Sequence, residues 1–379
     1  MATRNQDCDS HQETAFWGHY RSNGPVVWSE EMSAWLVLSH DAALAVLDHP
    51  DLSLAIYEDY RPSPLDLKSS FELDVQSNRT LNLAVASCIG RRNVRLDDIT
   101  AVCEEVLAEV PIGRSFDFVE TVANPISHGL MRRWFGLDEA ELAELLALFY
   151  YARHEQGAQS RLAAKSLITR RMLALIDQSR IEQRSDLISN LSRAWVKYGV
   201  EDKWLVSFLA PIFSSFVDGI SGRLLTQTVM QLTKNVQAQA DLLLGGWAFA
   251  RLAALEAARL DPINEGFPRR AATDLEIEGC RIARGDTLWI VLSAVCRDPA
   301  TFVEPGEFRP ARTGRHLAFG HGDHACTGRE LSLAVAATAL TEMIMSRHMR
   351  LSASPNESPR VTGDSGSLCL TLPVVCIVE

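Results

Sequence analysis

The chain has 379 residues, which is enough for two or three domains or for one large domain that buries a cofactor. Acidic residues outnumber basic ones by 48 to 37, and the net charge of −11 disfavours nucleic acid and anionic membranes as general partners. The eight cysteines are widely spaced without a Cys-x-x-Cys pair, so neither a zinc site nor a disulfide scaffold is expected.

The sequence also lacks the usual signals for export or membrane insertion. Residues 1–16 have no apolar signal core, and no window holds 18 uninterrupted apolar residues. We found no repeats, low-complexity tracts or linker-like breaks in composition. We therefore predict a soluble, cytoplasmic protein without a membrane anchor, in which residues 1–379 form a single domain.

The N-terminal part predicts a hairpin, a short helix and a long loop. Residues 25–39 place two apolar runs around a polar turn, which is typical of a β-hairpin. Residues 41–48 predict a short helix. Residues 54–77 lack clean periodicity and predict a long loop, and such loops are often functional lids.

Residues 78–260 are predominantly helical in pattern, because apolar residues recur at i, i+3 and i+4. Residues 204–234 predict either one long helix or a helix that starts near Pro211, since proline suits a first turn. Residues 244–260 predict another helix, which ends before Pro262.

The C-terminal part changes character. Alternating residues predict short strands with glycine turns over 274–293, whereas 298–318 are rich in proline and glycine with little periodicity. Residues 327–347 predict a helix and 366–378 closing strands. The fold class is therefore mainly α with a smaller β region.

Residues 319–328 read Phe-Gly-His-Gly-Asp-His-Ala-Cys-Thr-Gly and contain every fixed letter of the pattern F-G-x-G-x-H-x-C-x-G. Gly320 and Gly322 permit turns and a close approach that side chains would block. Cys326 precedes the helix predicted from residue 327, where Gly328 lies at the entry. Exposed N–H groups and the helix dipole favour a thiolate at such a position.

On this segment the sequence resembles the cytochrome P450 family, soluble bacterial type. The resemblance implies the cytochrome P450 fold, with heme b (iron protoporphyrin IX) between a long distal helix and a proximal Cys loop. It implies Cys326 as the iron ligand and Gly320 and Gly328 as the glycines of the cofactor-binding loop, and Phe319 is expected to pack under the ring.

A second motif, Glu256-Ala-Ala-Arg259, places an acid and a base on one helix face, where they can pair. It matches the Glu-x-x-Arg pair of the family, which we interpret as structural. The family usually adds a third member, an arginine. Because Glu307 occupies the aligned position, Arg309 or Arg312 is expected to substitute.

The resemblance also implies contacts with the heme propionates. Arg269, in the segment Phe267-Pro-Arg-Arg-Ala271, matches the arginine that the family places against a propionate. A guanidinium suits a carboxylate because it can bond it at two points. His324 matches a second propionate contact, and His316 is a candidate for a third.

The sequence departs from the family at the propionate clamp of an early helix. Many soluble members carry His-x-x-x-Arg there, whereas residues 78–82 read Asn-Arg-Thr-Leu-Asn. A charge-assisted hydrogen bond is worth roughly 1.5–3 kcal/mol, so the loss of two weakens heme binding unless another group compensates. Our hypothesis is that Arg79, Arg91 or Arg92 supplies the missing charge.

The distal helix departs as well. The family carries an acid followed by threonine, and the aligned residues here are Asp218 and Gly219, preceded by Ser214 and Ser215. One helical turn can gather the two serines and the acid. Asp218, Ser215 and Gly219 are therefore the candidate catalytic positions, with Ser215, a substrate hydroxyl or a water in place of the missing alcohol.

The resemblance implies a heme-thiolate monooxygenase that oxidises a small organic molecule, with a mild preference for a polar natural-product intermediate. Electrons would come from ferredoxin and ferredoxin reductase, which would dock on a basic patch of Arg91, Arg92, Arg95 and Arg329. Gly219 motivates an alternative, in which the enzyme couples or rearranges its substrate by radical steps or uses peroxide. A non-catalytic heme-binding homologue is the third hypothesis.

Overall fold

The protein is described by a computed structural model that covers residues 10–54, 75–89, 95–154, 157–182, 186–198, 205–206, 209, 212–213, 220–353, 360–362 and 368–378. Helices dominate these residues, as the apolar periodicity predicts. In chain order they are α1 (Ser10–Arg21), α2 (His40–Asp48), α3 (Val75–Ile89), α4 (Leu96–Leu107), α5 (Asn124–Phe135), α6 (Glu139–His154), α7 (Ala158–Ile181), α8 (Leu187–Lys197), α9 (Ile220–Thr233), α10 (Val236–Leu260), α11 (Leu292–Val295) and α12 (Arg329–Thr341). Within the described ranges, no helix has both the length and the apolar character needed to cross a lipid bilayer.

The strands form small sheets that join distant parts of the chain. In chain order they are β1 (Val26–Ser29), β2 (Ala34–Val37), β3 (Leu52–Ser53), β4 (Ser115–Asp117), β5 (Gly266–Ala271), β6 (Leu275–Ile277), β7 (Cys280–Ile282), β8 (Thr287–Val291), β9 (Met349–Ala353), β10 (Arg360–Thr362), β11 (Leu368–Thr371) and β12 (Pro373–Val378). The largest sheet has the order β1-β2-β8-β5-β3, in which β2 and β8 run parallel and the other pairs antiparallel. A second sheet has the order β4-β12-β9.

Helix α12 lies at the centre of the main core. Nine residues of the helix are buried, namely Leu331 and every residue from Leu333 to Leu340. The helix packs against α10 and α9. Small residues of both helices, such as Ala254 of α10 and Ala337 of α12, are fully buried in this core. Because the candidate ligand loop runs directly into α12, a rigid element holds its C-terminal end.

Helix α10 is interrupted where a glycine takes a non-helical conformation. Asn235 caps the helix by accepting a hydrogen bond from the N–H of Ala238 at 2.9 Å. Gly246 then has φ 54° and ψ −141°, which kinks the axis. Beyond the kink, Ala250, Glu256 and Arg259 face the interior, so the predicted helix over 244–260 carries the Glu-x-x-Arg pair into the core.

The structure confirms the predicted fold class and most of the predicted elements. The hairpin, the short helix after it, the helix that ends at Leu260, the strands over 274–293 and the closing strands are all present. The prediction of a loop over 54–77 is wrong at its C-terminal end, because α3 begins at Val75. Residues 55–74 lie outside the described ranges. Most of 204–219 lies outside them too, and α9 accounts for 220–233 of the long helix predicted there.

Candidate active site

The loop before α12 folds tightly around two glycines with positive φ. Gly320 has φ +72° and Gly322 has φ +65°. The N–H of Cys326 donates to the carbonyl of Phe319 at 2.7 Å, which closes the loop. A Cβ on Gly320 would lie 3.3 Å from the carbonyl oxygen of His324, so this position lacks room as well as the backbone freedom that other residues need.

A Gly320→Ala variant is therefore expected to lose about 1–2 kcal/mol of folding free energy from backbone strain alone, with an added cost from crowding. Gly279→Ala is the matched control, because Gly279 has φ +77° but nothing within 4 Å of an added Cβ. Urea unfolding should show losses in both variants, whereas bound heme after purification should fall in Gly320→Ala alone. Equal heme content in the two variants would contradict a special role for the loop.

Cys326 differs from the other cysteines whose side chains the structure describes. It is exposed, whereas Cys103, Cys296 and Cys376 are buried. Nearby protein atoms partly desolvate its thiol, and this raises the pKa of the thiol. The backbone N–H groups of Gly328 and Arg329 and the charge of Arg329 act in the opposite direction. An accessible sulfur that receives N–H hydrogen bonds is suited to stay a thiolate once a metal ion replaces its proton.

Gly328 leaves space beside that sulfur. A Cβ at this position would lie 3.9 Å from Sγ of Cys326, so a longer side chain would cover one flank of the thiol. The ring of Phe319 lies on another side of the loop, with the Arg329 guanidinium 5.8 Å from its centre. The loop therefore presents the thiol on a surface of glycines and one aromatic ring, which fits a flat macrocycle.

A cavity of about 250 Å³ adjoins the loop and is lined by Leu255, Gly314, Arg315, His316, Phe319, Gly320, Ala325 and Arg329. His316 is buried there, and its Nδ1 accepts a hydrogen bond from the N–H of Ala318 at 3.2 Å. Burial, followed by the charges of Arg259 and Arg329, lowers the pKa of His316 to about 3. The imidazole is therefore neutral at physiological pH, and its predicted contact with a propionate stays a prediction.

This buried histidine should make the fold sensitive to acid. Above pH 6.5, the ordinary pKa of histidine, neither the folded nor the unfolded state binds the proton, so His316 does not affect stability. Below it only the unfolded state does, so the free energy of unfolding falls by about 1.4 kcal/mol per pH unit until pH 3 is approached. A His316→Gln variant should show a shallower decline in urea-unfolding series over this window. The exposed His19, replaced in the same way, serves as control, and a His316→Gln slope equal to that of the parent protein would refute the expectation.

Arg269 and His324 lie close together at the edge of the loop. Strand β5 places Arg269 opposite Leu288 of β8, and its side chain is buried, with Nη1 donating to the carbonyl of Pro268 at 2.9 Å. His324 ends the short 3₁₀ turn Gly322–His324. Burial and then the charge of Arg269 lower the pKa of His324. A buried guanidinium beside an imidazole is a suitable pair of donors for a carboxylate.

The Glu-x-x-Arg pair forms a buried network that holds the coil ahead of the loop. Arg259 donates to both carboxylate oxygens of Glu256 at 2.8 Å, and it also bonds the carbonyls of Cys296 and Pro305. Nε of Arg312 donates to Glu256 at 3.0 Å, which confirms the predicted substitute at the third position. Arg309 contributes only its backbone N–H to Glu256, while its side chain pairs with Glu304.

Helix α3 meets the loop at Asp323, a residue that the sequence analysis did not single out. Nε and Nη2 of Arg79 each donate to one carboxylate oxygen of Asp323 at 3.0 Å. Nδ2 of Asn82 donates to the carbonyl of the same residue at 2.9 Å. The hydrogen bond from Arg79 is the main reason why the pKa of Asp323 is lowered. Two features of the sequence could have indicated this pair. One is the acid Asp323 inside the loop, and the other is the base Arg79 on a helix that departs from the family pattern.

Several predicted residues fall outside the described ranges. They are the candidate catalytic positions Ser215, Asp218 and Gly219, the neighbouring Ser214, and the arginines Arg91 and Arg92. The proposed propionate role of Arg79 stays a prediction, and the structure pairs this side chain with Asp323. In the predicted basic patch, Arg95 pairs with Asp98 at 2.8 Å, and Arg329 lies against Phe319.

The known proteins that this chain resembles are cytochrome P450 proteins. A cytochrome P450 family model matches residues 252–373. The cytochrome P450 monooxygenase PikC of Streptomyces venezuelae is 26% identical over 370 residues, which cover 89% of this chain and 84% of that protein. The 20-oxo-5-O-mycaminosyltylactone 23-monooxygenase of Streptomyces fradiae is 43% identical over 86 residues, which cover 22% of this chain and 20% of that protein.

A solved structure extends the likeness to the whole fold. Epothilone D-bound cytochrome P450epoK has a TM-score of 0.85, with 98% of this chain and 97% of that chain covered at 19% identity. The matched segment 252–373 holds the Glu-x-x-Arg network, Arg269 and the Cys326 loop, whose geometry suits the heme-thiolate cofactor that the family implies. The chain is therefore similar to cytochrome P450 monooxygenases, which are oxidoreductases, both in the segment that holds the candidate site and in its fold.

Proposed function

We propose that this protein is a cytoplasmic, heme b-dependent monooxygenase that oxidises a natural-product intermediate. The accessible thiol of Cys326 carries the proposal, because the N–H groups of Gly328 and Arg329 are directed at its sulfur. When bound through that sulfur, the heme iron supplies oxygen activation, which electron donation from a thiolate favours. The chain contributes the position of the sulfur and the hydrogen bonds that tune it.

Arg269 and His324 are the residues that would hold the heme carboxylates. The Arg269 guanidinium is buried beside His324, and a guanidinium can bond a carboxylate at two points. Burial and the neighbouring arginine lower the pKa of His324, and the N–H of an imidazole can donate to a carboxylate. Together they can neutralise and orient one carboxylate group.

The substrate class rests on the names of similar proteins and on the sequence. One relative is named for 20-oxo-5-O-mycaminosyltylactone, and one similar structure has epothilone D bound. These names support a natural-product intermediate as the substrate. Ser214, Ser215 and Asp218 add hydrogen-bonding groups on the predicted distal helix, in keeping with a substrate that carries polar groups.

Ferredoxin, reduced by ferredoxin reductase, is the proposed electron donor. Arg329 and Arg315 line the cavity beside the ligand loop, and their positive charge suits an acidic partner. Arg95 and Arg329 contribute less charge to such a surface than Arg315, because Asp98 pairs with Arg95 and Glu330 pairs with Arg329.

The reduced, CO-bound absorption spectrum of the purified protein tests the cofactor assignment. A Soret band at the thiolate-type position is expected. A well-folded protein that binds heme but lacks this band would contradict the proposal.

Product analysis under labelled dioxygen, with ferredoxin and its reductase as electron donors, then tests the reaction. Label in the product supports monooxygenation, whereas turnover without label would favour radical coupling, rearrangement or peroxide use.

A further inference from the structure

Two described side chains of helix α3 bond the same residue of the ligand loop, Asp323. Arg79 and Asn82 are three positions apart and therefore lie on one face of the helix. The Arg79 guanidinium donates hydrogen bonds to both carboxylate oxygens of Asp323, and the side-chain amide of Asn82 donates one to the backbone carbonyl of Asp323. Three hydrogen bonds thus converge on a residue three positions before Cys326.

The other flank of the loop is tied to α2. Nε2 of His321 lies 3.2 Å from Oδ2 of Asp48, the last residue of that helix. Between these ties runs the 3₁₀ turn Gly322–His324, and the N–H of Cys326 is bonded to the carbonyl of Phe319. A shift of Asp323 would therefore displace both His324 and the sulfur.

The amide of Asn82 indicates that helix α3 binds the ligand loop, whereas the corresponding helix of many family members binds a heme propionate. Where many soluble family members carry a histidine and an arginine for a heme propionate, this chain has Asn78 and Asn82, and an amide carries no charge for a carboxylate. The charge of Arg79 is used on a carboxylate of the protein itself.

We propose that Arg79, Asn82 and Asp323 form a positioning cluster that fixes the ligand loop for iron, in place of a direct charge link between this helix and the cofactor. The inference rests on the proposed heme-thiolate function. Retention of the heme then depends on Arg269, on His324 and on the geometry of the clamped loop. The cluster acts through Cys326 and His324 and does not itself touch the reacting atoms.

The solvent exposure of Arg79 and Asp323 distinguishes a role in positioning the loop from a role in stabilising the whole fold. The side chains of Arg79 and Asp323 are 59% and 36% exposed, and exposed ion pairs contribute little to global stability. Removing the pair should therefore lower the urea-unfolding midpoint of the holoprotein by no more than the weaker heme binding accounts for, while it loosens the loop. A purely structural pair would lower the midpoint further than that.

The test uses the holoprotein and the variants Arg79→Gln and Asp323→Asn. Heme dissociation is measured by transfer to excess apomyoglobin, together with the fraction of the reduced CO complex that keeps the thiolate-type band. Each variant should lose heme about 10-fold faster, at the lower end of the effect of residues that support metal ligands, and should keep a smaller thiolate-type fraction. The double variant should be no worse than either single one, because both remove the same interaction.

Arg133→Gln is the matched control, because it breaks an exposed ion pair with Glu105 that does not involve the loop. The exchanged pair Arg79→Asp with Asp323→Arg should recover part of the slow heme loss. Parental dissociation rates and CO spectra in both single variants would overturn the inference, and so would additive effects in the double variant. If the parental protein itself lacks the thiolate-type band, the proposed function fails instead, so the two failures are distinguishable.

Discussion

Replacing Cys326 by serine is expected to abolish monooxygenase turnover and to remove the thiolate-type Soret band of the reduced CO complex. Serine keeps nearly the same volume but loses the soft, readily deprotonated ligand atom. Loss of a residue that merely supports a metal ligand costs about 10–100-fold in activity or metal affinity, so loss of the ligand itself should exceed about 100-fold. Steady-state oxidation rates and CO difference spectra measure the two effects.

Cys280→Ser is the control for this substitution. Cys280 is half-buried on β7, and its Sγ donates to the carbonyl of Val26 at 3.4 Å, a bond that serine can also make. This variant should keep the parental activity and spectrum. A Cys326→Ser protein with parental turnover would show that another residue holds the iron, and the assignment of the site would be wrong.

Replacing Glu256 by glutamine is expected to cause the largest loss of stability. Glu256 is 4% exposed, and the side chains of Arg259 and Arg312 that bind it are 1% and 9% exposed. Glutamine leaves two buried guanidinium groups without a compensating charge. Breaking a buried ion pair in this way costs about 3–5 kcal/mol. Because unfolding entropy grows with chain length, this corresponds to a decrease in Tm of about 5 °C.

Calorimetry and urea unfolding of Glu256→Gln check this expectation. Glu105→Gln is the matched control, because Glu105 pairs with Arg133 at the surface and should lose no more than about 1 kcal/mol. The buried variant should also bind less heme, since the network holds the coil that leads to the loop. Equal unfolding midpoints for the two variants would contradict the central place given to this network.

Local pattern predicted much of the fold and the ligand loop. The helix before Pro262, the hairpin and the strands over 274–293 follow from periodicity and turn residues within short windows. The loop is similarly contiguous, so Cys326, Gly320 and His324 could be identified together. Arg312 was predictable as a substitute because it lies close to Glu307, the position at which the family pattern fails.

Long-range contacts account for what the sequence did not reveal. Arg79 and Asp323 are 244 positions apart, so no short window of the sequence contains both residues. Strand β5 was missed as a strand, since Gly266 and Pro268 are unusual in one, and pairing with β8 stabilises it. Strands β9 and β10 depend likewise on partners close to the C-terminus.

The order of strands in the two larger sheets has a consequence for biosynthesis. Strand β2 pairs with β8, and β4 pairs with β12, which contains some of the last residues of the chain. The N-terminal hairpin therefore waits for roughly 250 further residues before its parallel neighbour exists, and such non-local pairing slows folding. Until β12 has emerged from the ribosome, β4 and β9 have edges without their shared partner. The larger sheet can thus form once β8 has been made, whereas the second sheet must wait for β12, so the two sheets form one after the other during synthesis.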